Sequence, residues 1–188
     1  MKKFLILGMG NIGLRHMQGL AKNSDNELEF YVFDKYKNYK KKYSNELNQL
    51  KTKYNVFDID NIQEVININF NLIIIATTAT NRPNLLINII KILKYQFILI
   101  EKPICQSIKE LEQLKEITNN NIYVNFPRRY SSWHRKIKKI ITTSYNYDYL
   151  KVKIIGRNIG LACNASHYID LLNFWTSKYP IKVDTSCL

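Results

Sequence analysis

Cysteine is scarce in this sequence, acidic residues are few, and no apolar run is long. The three cysteines, Cys105, Cys163 and Cys187, are odd in number and form no Cys-x-x-Cys motif. This pattern argues against a disulfide framework and a zinc site, and it indicates a reducing compartment. The runs NLIIIATTA and FILI are far too short to span a bilayer, and the apolar part of MKKFLILGMG is too short for a signal peptide. We therefore expect a cytoplasmic protein without a metal or a membrane partner.

The shortage of acidic residues leaves a formal net charge of +13. Lysines crowd residues 35–53, and basic residues recur from Arg128 to Lys153. A basic surface interleaved with tyrosine could follow a nucleic-acid backbone. However, Lys, Asn, Ile and Tyr are abundant everywhere in the chain and share AT-rich codons, and the lysine run suits a solvated helix face. Nucleic-acid binding is therefore the weaker reading of the charge.

Short apolar runs alternate with amphipathic segments along most of the chain. The runs KKFLILG, ELEFYVFD, YNVFD, NLIIIATT, QFILIEKP and IYVNF predict strands. Between them, predicted helices include IGLRHMQGLAK, the lysine-rich segment, NIQEVININF, NRPNLLINIIKILKY and SIKELEQLKEITNNN, the last starting with a capping box at Ser107 and Glu110. This rhythm predicts a doubly wound parallel sheet over residues 1–126. The character becomes basic and aromatic beyond Phe126, so residues 127–188 are assigned to a second domain.

The motif Gly8-Met9-Gly10-Asn11-Ile12-Gly13 directly follows the first predicted strand and opens a helix. In that context Gly8 permits a tight turn, Gly10 lets the backbone approach a pyrophosphate, and Gly13 allows close packing of helix and strand. The helix start supplies amide donors for phosphates. Asp34 ends the second strand, 21 positions after Gly13, where a carboxylate binds an adenosine ribose. The segment therefore predicts a dinucleotide site.

A second candidate site is Glu101-Lys102-Pro103 at the carboxyl end of a predicted strand, where open α/β sheets place their ligand crevice. Pro103 keeps Lys102 out of helical geometry. Lys102 could exchange a proton with a substrate hydroxyl. On local physics alone, a solvated lysine followed by a strand-ending proline explains the segment equally well.

Five segments in order resemble the Gfo/Idh/MocA family of NAD(P)-dependent oxidoreductases. They are GMGNIGLRH, IIIATTATNRPNLL, ILIEKPICQS, VNFPRRY and ASHYIDLLNFW. The resemblance implies a Rossmann domain followed by an α/β substrate domain, which often carries an oligomer contact. It also implies hydride transfer between a nicotinamide and a hydroxyl-bearing carbon of a sugar or polyol.

The resemblance assigns roles to particular residues. It makes Lys102 and His167 catalytic, with His167 exchanging the proton at the reacting oxygen, as an imidazole can near neutrality. Without the resemblance, a histidine partly buried on an amphipathic helix is the simpler reading of His167. Lys102, Arg128, Asn164 and His167 are the predicted substrate contacts. The predicted cofactor contacts are Gly8, Gly10, Asn11, Ile12, Gly13, Asp34, Thr77, Glu101 and Lys102. Asp34 favours NAD over NADP, although Lys35 and Lys37 could compensate for its charge.

The sequence also departs from the family pattern. Cys163 and Ala165 stand where many members have aspartate and glycine, and the stretch around Asn164 is similar to members found in surface-polysaccharide gene sets. Arg82 stands where many have a histidine. Arg128 and Arg129 have two possible interpretations. Either they contact an anionic substrate, such as an acidic sugar or a sugar nucleotide, or they are charged residues of the surface.

The chain is short for the family, so an incomplete substrate domain is expected. The segment YLKVKIIGR is then an unpaired or barely paired strand, and an exposed apolar edge of this kind invites association, such as in a homo-oligomer, or misfolding. An inactive dinucleotide-binding remnant or regulatory subunit is the alternative function.

Overall fold

The chain divides into two units, residues Met1–Asn125 and Phe126–Leu188. A computed structural model describes residues 1–24, 27–117, 121–144, 150–155 and 160–178. The first unit is a six-stranded parallel sheet in the order β3-β2-β1-β4-β5-β6. Its strands are β1 (Lys2–Leu7), β2 (Leu28–Phe33), β3 (Asn55–Asp58), β4 (Asn69–Ile75), β5 (Lys94–Ile100) and β6 (Ile122–Val124).

Helices connect these strands. They are α1 (Asn11–Lys22), α2 (Tyr39–Lys42), α3 (Ser44–Lys51), α4 (Arg82–Ile92) and α5 (Ile108–Lys115), and a 3₁₀ turn covers Ile62–Val65. This arrangement confirms the predicted Rossmann-type parallel sheet. Because the strand order reverses between β1 and β4, the carboxyl ends of these two strands form the crevice in which such sheets bind ligands.

Strand β1 lies at the centre of the core. Phe4 and Ile6 belong to one buried hydrophobic cluster, and Leu5 and Leu7 belong to another. Successive side chains of a strand point to opposite faces of a sheet, so each cluster covers one face. This two-sided burial explains why the strand reads as a continuous apolar run.

Two predicted helices of the first unit differ from the structure. The lysine-rich segment forms two short helices, α2 and α3, with Tyr43 between them. The segment NIQEVININF forms only the 3₁₀ turn and then enters β4 at Asn69. Its Asn61 and Glu64 make a complete capping box, which fixes the start of that turn.

The second unit contains a 3₁₀ turn at Pro127–Tyr130 and the helices α6 (Ser132–Ser144) and α7 (Leu161–Thr176). Residues 150–155, the described part of the predicted strand YLKVKIIGR, are not in a strand. The expected lack of pairing holds for these residues, since they have no partner strand among the described residues, and without a partner they do not form a strand. Cys187 lies outside the described residues.

Candidate functional site

The glycine loop joins β1 to α1 in the first unit, and two of its glycines are required by the protein itself. Gly8 has a φ of +91°, and a Cβ placed on it would lie 2.8 Å from the backbone nitrogen of Thr77. A Cβ on Gly13 would lie 2.1 Å from the carbonyl oxygen of Gly8. Gly8 therefore allows the turn to pass close to the end of β4, and Gly13 allows α1 to pack on the loop.

Gly10 is different, because nothing in the described part of the chain requires a glycine there. Its φ of −75° and ψ of −168° suit any residue, and a Cβ on it would meet no atom of the described residues within 4 Å. The space beside Gly10 is therefore open at the start of α1, where backbone amides and the helix dipole favour an anion. A dinucleotide phosphate fits this cradle, and a side chain at position 10 would occupy the same space.

Asp34 follows β2 and contacts the loop. One oxygen of its carboxylate accepts a hydrogen bond from the backbone N–H of Met9 at 2.8 Å, and the other accepts one from the N–H of Tyr36 at 3.0 Å. Asp34 is thereby fixed beside the glycine loop at the carboxyl end of the neighbouring strand.

The first residues of α1 are partly open to the surroundings. Ile12 is 49% exposed, and the side chain of Asn11 accepts a hydrogen bond from the hydroxyl of Tyr43. On the other side of the loop, the Thr77 hydroxyl is buried and has no hydrogen-bond partner among the described residues. A buried hydroxyl without a partner is unfavourable. Thr77 is thus a further group that a ligand in the crevice could satisfy.

Glu101 follows β5 and is fixed through its side chain. Its carboxylate makes a 2.9 Å hydrogen bond to Nε2 of His16, on α1, and accepts another from the side-chain amide of Asn125, after β6. Burial alone would raise the pKa of Glu101, but the hydrogen bonds from His16 and Asn125 and the charges of His16 and Arg82 lower it below its ordinary value. Glu101 is therefore a half-buried carboxylate that is ionised at neutral pH.

Arg82 contacts the same segment through its backbone. This first residue of α4 is only 4% exposed, and its guanidinium donates hydrogen bonds to the carbonyl oxygens of Glu101 at 2.6 Å and Pro103 at 2.5 Å. It also donates one to the carbonyl oxygen of Thr77. The Lys102–Pro103 peptide bond is cis, and Lys102 itself is half-buried.

In the second unit, three predicted substrate residues form one cluster. Arg128 donates a 2.9 Å hydrogen bond to the side-chain oxygen of Asn164 and lies 4.7 Å from the ring centre of Tyr168. His167 meets Phe126 edge to face at 5.7 Å. Residues 167 and 168 lie three and four positions after residue 164, about one helical turn along α7, so all three share a face of that helix. No carboxylate among the described residues forms an ion pair with Arg128.

Arg129, the neighbour of Arg128, is engaged inside the unit. It makes a two-pronged contact with Asp170, whose side chain is only 6% exposed. It also lies 6.0 Å from the ring centre of Phe174. These contacts give Arg129 a structural role, which neither sequence-based interpretation of this residue included.

The site residues thus fall into two groups. The cofactor residues predicted from the sequence, together with Lys102, belong to the first unit, whereas Arg128, Asn164 and His167 belong to the second. Sequence reasoning gave no role to His16, Asn125 or Tyr168 and noted Arg82 only as a departure. Hydrogen bonding between residues distant in sequence carries no local signal, so these partners become visible only in the fold. The side chain of Cys163 lies outside the description.

In the described part of the chain, no group of three His, Cys, Asp or Glu residues could hold a metal ion. No helix in that part is long and apolar enough to cross a membrane.

The glycine loop, Asp34 and the parallel sheet define a dinucleotide-binding protein. The sequence profile of the oxidoreductase family with an NAD-binding Rossmann fold, GFO_IDH_MocA, matches residues 2–124. The chain therefore belongs to the Gfo/Idh/MocA oxidoreductase family, which confirms the family resemblance seen in the sequence. No curated protein matches the sequence significantly.

Solved structures share the fold at low sequence identity. Myo-inositol 2-dehydrogenase from Lactobacillus plantarum is 20% identical with a TM-score of 0.65, and the match covers 94% of this chain and 56% of that one. Scyllo-inositol dehydrogenase from Lactobacillus casei, solved with NAD(H) and scyllo-inositol, is 15% identical with a TM-score of 0.62 and coverages of 94% and 56%. The WlbA dehydrogenase from Bordetella pertussis, solved with NADH and UDP-GlcNAcA, is 18% identical with a TM-score of 0.65 and coverages of 94% and 59%. The chain thus spans little more than half the length of these structures.

Proposed function

We propose that this protein is a nicotinamide-dependent oxidoreductase that transfers a hydride to or from a hydroxyl-bearing carbon of a sugar or sugar derivative. The observation that carries the proposal is the open space beside Gly10, bounded by the start of α1 and by Asp34. The neighbours solved with an inositol and with UDP-GlcNAcA support a polyol or sugar as substrate. The sugar nucleotide in the WlbA structure agrees with the role in surface-glycan synthesis that the family resemblance implies.

In this proposal the bound dinucleotide supplies the hydride acceptor or donor. The loop amides and Gly10 bind its phosphates, Asp34 accepts hydrogen bonds from the adenosine ribose, and the Thr77 hydroxyl and the Glu101 carboxylate contact it near the end of β4 and β5. Lys102 holds the reacting hydroxyl by a hydrogen bond. The imidazole of His167 takes the hydroxyl proton during oxidation and returns it during reduction, while Arg128 and Asn164 orient the substrate.

The cofactor is proposed to be NAD rather than NADP. Asp34 presents a negative charge where NADP carries its additional phosphate. Lys37, which could neutralise that phosphate, forms an ion pair with Asp60, and Lys35 lies 5.5 Å from the ring centre of Tyr36. We expect NADH to bind at least about tenfold more tightly than NADPH, which corresponds to about 1.4 kcal/mol. Titrations monitored by nicotinamide fluorescence test this preference. Asp34→Ser should reduce the ratio between the affinities for NADH and NADPH. Equal affinities in the unmodified protein would contradict it.

The main test compares two glycines of α1 and its loop. Gly10→Val should leave the fold intact, because a Cβ at this position meets no atom of the described residues within 4 Å. It should weaken NADH binding by at least about 100-fold by filling the cradle. The control is Gly19→Ala, since Gly19 also has open space around it but lies farther along α1. It should bind NADH as the unmodified protein does.

The outcome separates the two parts of the proposal. If Gly10→Val binds NADH normally, the cradle is not the cofactor site. If NADH binds but no polyol, sugar or sugar nucleotide is oxidised or reduced, only the dinucleotide-binding part stands. Where turnover is found, Lys102→Ala should abolish it without changing NADH affinity more than about threefold.

A further inference from the structure

We propose that Arg82 is a positioning residue for Lys102, because its guanidinium holds the backbone on both sides of that lysine. The assignment rests on the proposed function, in which Lys102 contacts the reacting hydroxyl. Arg82 is not expected to touch substrate or cofactor itself. Its effect passes through the backbone that carries Lys102.

The first support is the pattern of hydrogen bonds. A single nitrogen of Arg82, Nη1, donates to the carbonyl oxygens of Glu101 and Pro103, 2.6 Å and 2.5 Å away. Because both carbonyls converge on one atom, the chain bends around the guanidinium with Lys102 at the bend. The other nitrogen, Nη2, donates to the carbonyl of Thr77. Arg82 thus ties the end of β4 to the end of β5 at the crevice.

The second support is the unfavourable free energy of burying the charged side chain of Arg82. Arg82 is almost completely buried. Burial lowers the pKa of its guanidinium, and the neighbouring Glu101 carboxylate opposes that effect. A buried cation is unfavourable unless hydrogen bonds and a counter-charge replace its water. Three carbonyl oxygens and Glu101 supply most of this compensation, while Nε of the guanidinium has no hydrogen-bond partner among the described residues.

The third support is that the task suits arginine in particular. A guanidinium has five N–H donors in a rigid planar fork, so it can bond several carbonyls in fixed directions. A lysine at position 82 would keep the charge but present its donors from one atom on a flexible stem. It could not hold the carbonyls of Glu101, Pro103 and Thr77 in the same geometry. Arg82→Lys therefore separates the charge of the residue from its shape.

The Glu101 side chain provides a second attachment of the Glu101–Pro103 segment, one that does not involve hydrogen bonds from Arg82. His16 and Asn125 both contact that carboxylate. With Glu101 anchored in this way, the loss of Arg82 should release mainly Lys102 and Pro103 and leave the sheet intact. Because only these residues are expected to move, a change at Lys102 can be distinguished from a general loss of stability of the protein.

The test uses a spectroscopic signal from Lys102 that needs no substrate. Reductive methylation with ¹³C-formaldehyde gives each lysine of the full chain its own NMR signal and keeps the positive charge, and Lys102→Arg identifies the signal of Lys102. We expect Arg82→Gln and Arg82→Lys to shift or broaden this signal and to leave most other lysine signals unchanged. Arg15→Gln, at an exposed arginine of α1, is the matched control and should change nothing at Lys102. Hydrogen exchange of the sheet amides verifies that each variant is folded.

Each result decides the question. An unchanged Lys102 signal in folded Arg82→Gln protein would overturn the positioning role. If Arg82→Gln does not fold, Arg82→Lys carries the same test, and added methylguanidinium should restore the Lys102 signal in Arg82→Ala. Once a substrate is known, Arg82→Lys should lower kcat about 10- to 100-fold with less than a threefold change in the affinity for NADH.

The two proposals fail in different ways. If the unmodified protein does not bind NADH, the proposed function falls, but the Lys102 signal still reports whether Arg82 positions that residue. If NADH binds and Arg82 variants leave the Lys102 signal and kcat unchanged, only the positioning role falls.

Discussion

In the first unit, β1 is buried from Phe4 to Leu7 and packs on both faces, whereas in the second unit Leu171 is the single buried hydrophobic residue among those the structure describes. The described part of the second unit depends instead on charged contacts. Arg129 pairs with the buried Asp170, and Lys138 lies 4.5 Å from the ring centre of Phe174. The comparison teaches that the proposed cofactor residues are carried by a hydrophobic sheet, whereas the described part of the second unit is held mainly by an ion pair and cation–π contacts. The two parts should therefore respond to different perturbations.

The largest expected effect tests the first unit alone. Gly13→Ala places a methyl group 2.1 Å from the carbonyl oxygen of Gly8, and backbone atoms at that distance must move apart. We expect the first unit to lose about 3 kcal/mol of stability, at the upper end of overpacking effects. Urea unfolding followed by circular dichroism measures this loss. Gly19→Ala is the control and should instead raise stability by about 0.5 to 1 kcal/mol, because alanine favours a helix interior. Equal stabilities of the two variants would show that α1 does not pack on the loop as described.

A somewhat smaller effect tests the second unit. Arg129→Met leaves the buried carboxylate of Asp170 without its partner. Because the Arg129 side chain is 37% exposed and solvent screens the pair, the expected cost is about 2 kcal/mol, less than for a fully buried pair. Hydrogen exchange should accelerate in α7 and stay unchanged in β1 and β4. Arg128→Met removes one hydrogen bond to an uncharged amide and a cation–π contact, so it should cost only about 1 kcal/mol. If Arg129→Met also accelerated hydrogen exchange throughout the sheet, the conclusion that the two units respond to different perturbations would be wrong.

The smallest effect concerns acid stability of the first unit. The pKa of Glu101 lies below its ordinary value of 4.5 in the folded protein. The unfolded chain therefore binds the proton more readily, so the stability from Glu101 is present above about pH 4.5 and is lost as the pH falls through the folded-state pKa. Glu101→Gln keeps an acceptor for His16 and Asn125 but cannot titrate. Its unfolding free energy should fall less steeply than that of the unmodified protein between pH 5 and about 3. Asp58, whose pKa is also lowered, contributes to the pH dependence that remains in this variant. Identical slopes in the two proteins would exclude a contribution from Glu101.

The sheet could be predicted from the sequence because its signals are local. Runs such as Phe4–Leu7 and Ile73–Ile75 are apolar since parallel strands are buried on both faces, and the glycine spacing marks the turn after β1. The structure of the second domain was harder to predict from the sequence. Residues 150–155 have the alternation of a strand, but pairing is a property of two segments, and one segment cannot reveal it.

The candidate site was predictable only in part, for a related reason. Gly8, Gly10 and Gly13 form a contiguous motif, so their roles follow from their spacing. Residues that act at a distance leave no such pattern. Arg82 reads as the start of an amphipathic helix, and only the fold brings it to the carbonyls of Glu101 and Pro103. Ser107 was expected to form a capping box with Glu110, and its hydroxyl does accept the N–H of Glu110, but the Glu110 carboxylate accepts from Gln106 instead.

The central place of β1 also sets the order in which the chain can fold during its synthesis. Phe4 pairs with Phe30 on one side and with Leu72 on the other. At a synthesis rate of about 5 to 20 residues per second, the second partner leaves the ribosome roughly 3 to 14 seconds after β1. During that interval one edge of β1, with Leu5, Ile6 and Leu7, has no strand to pair with. The segment that forms the middle of the finished sheet is thus the one a nascent chain must shield for longest, and it is where a chaperone would be expected to bind.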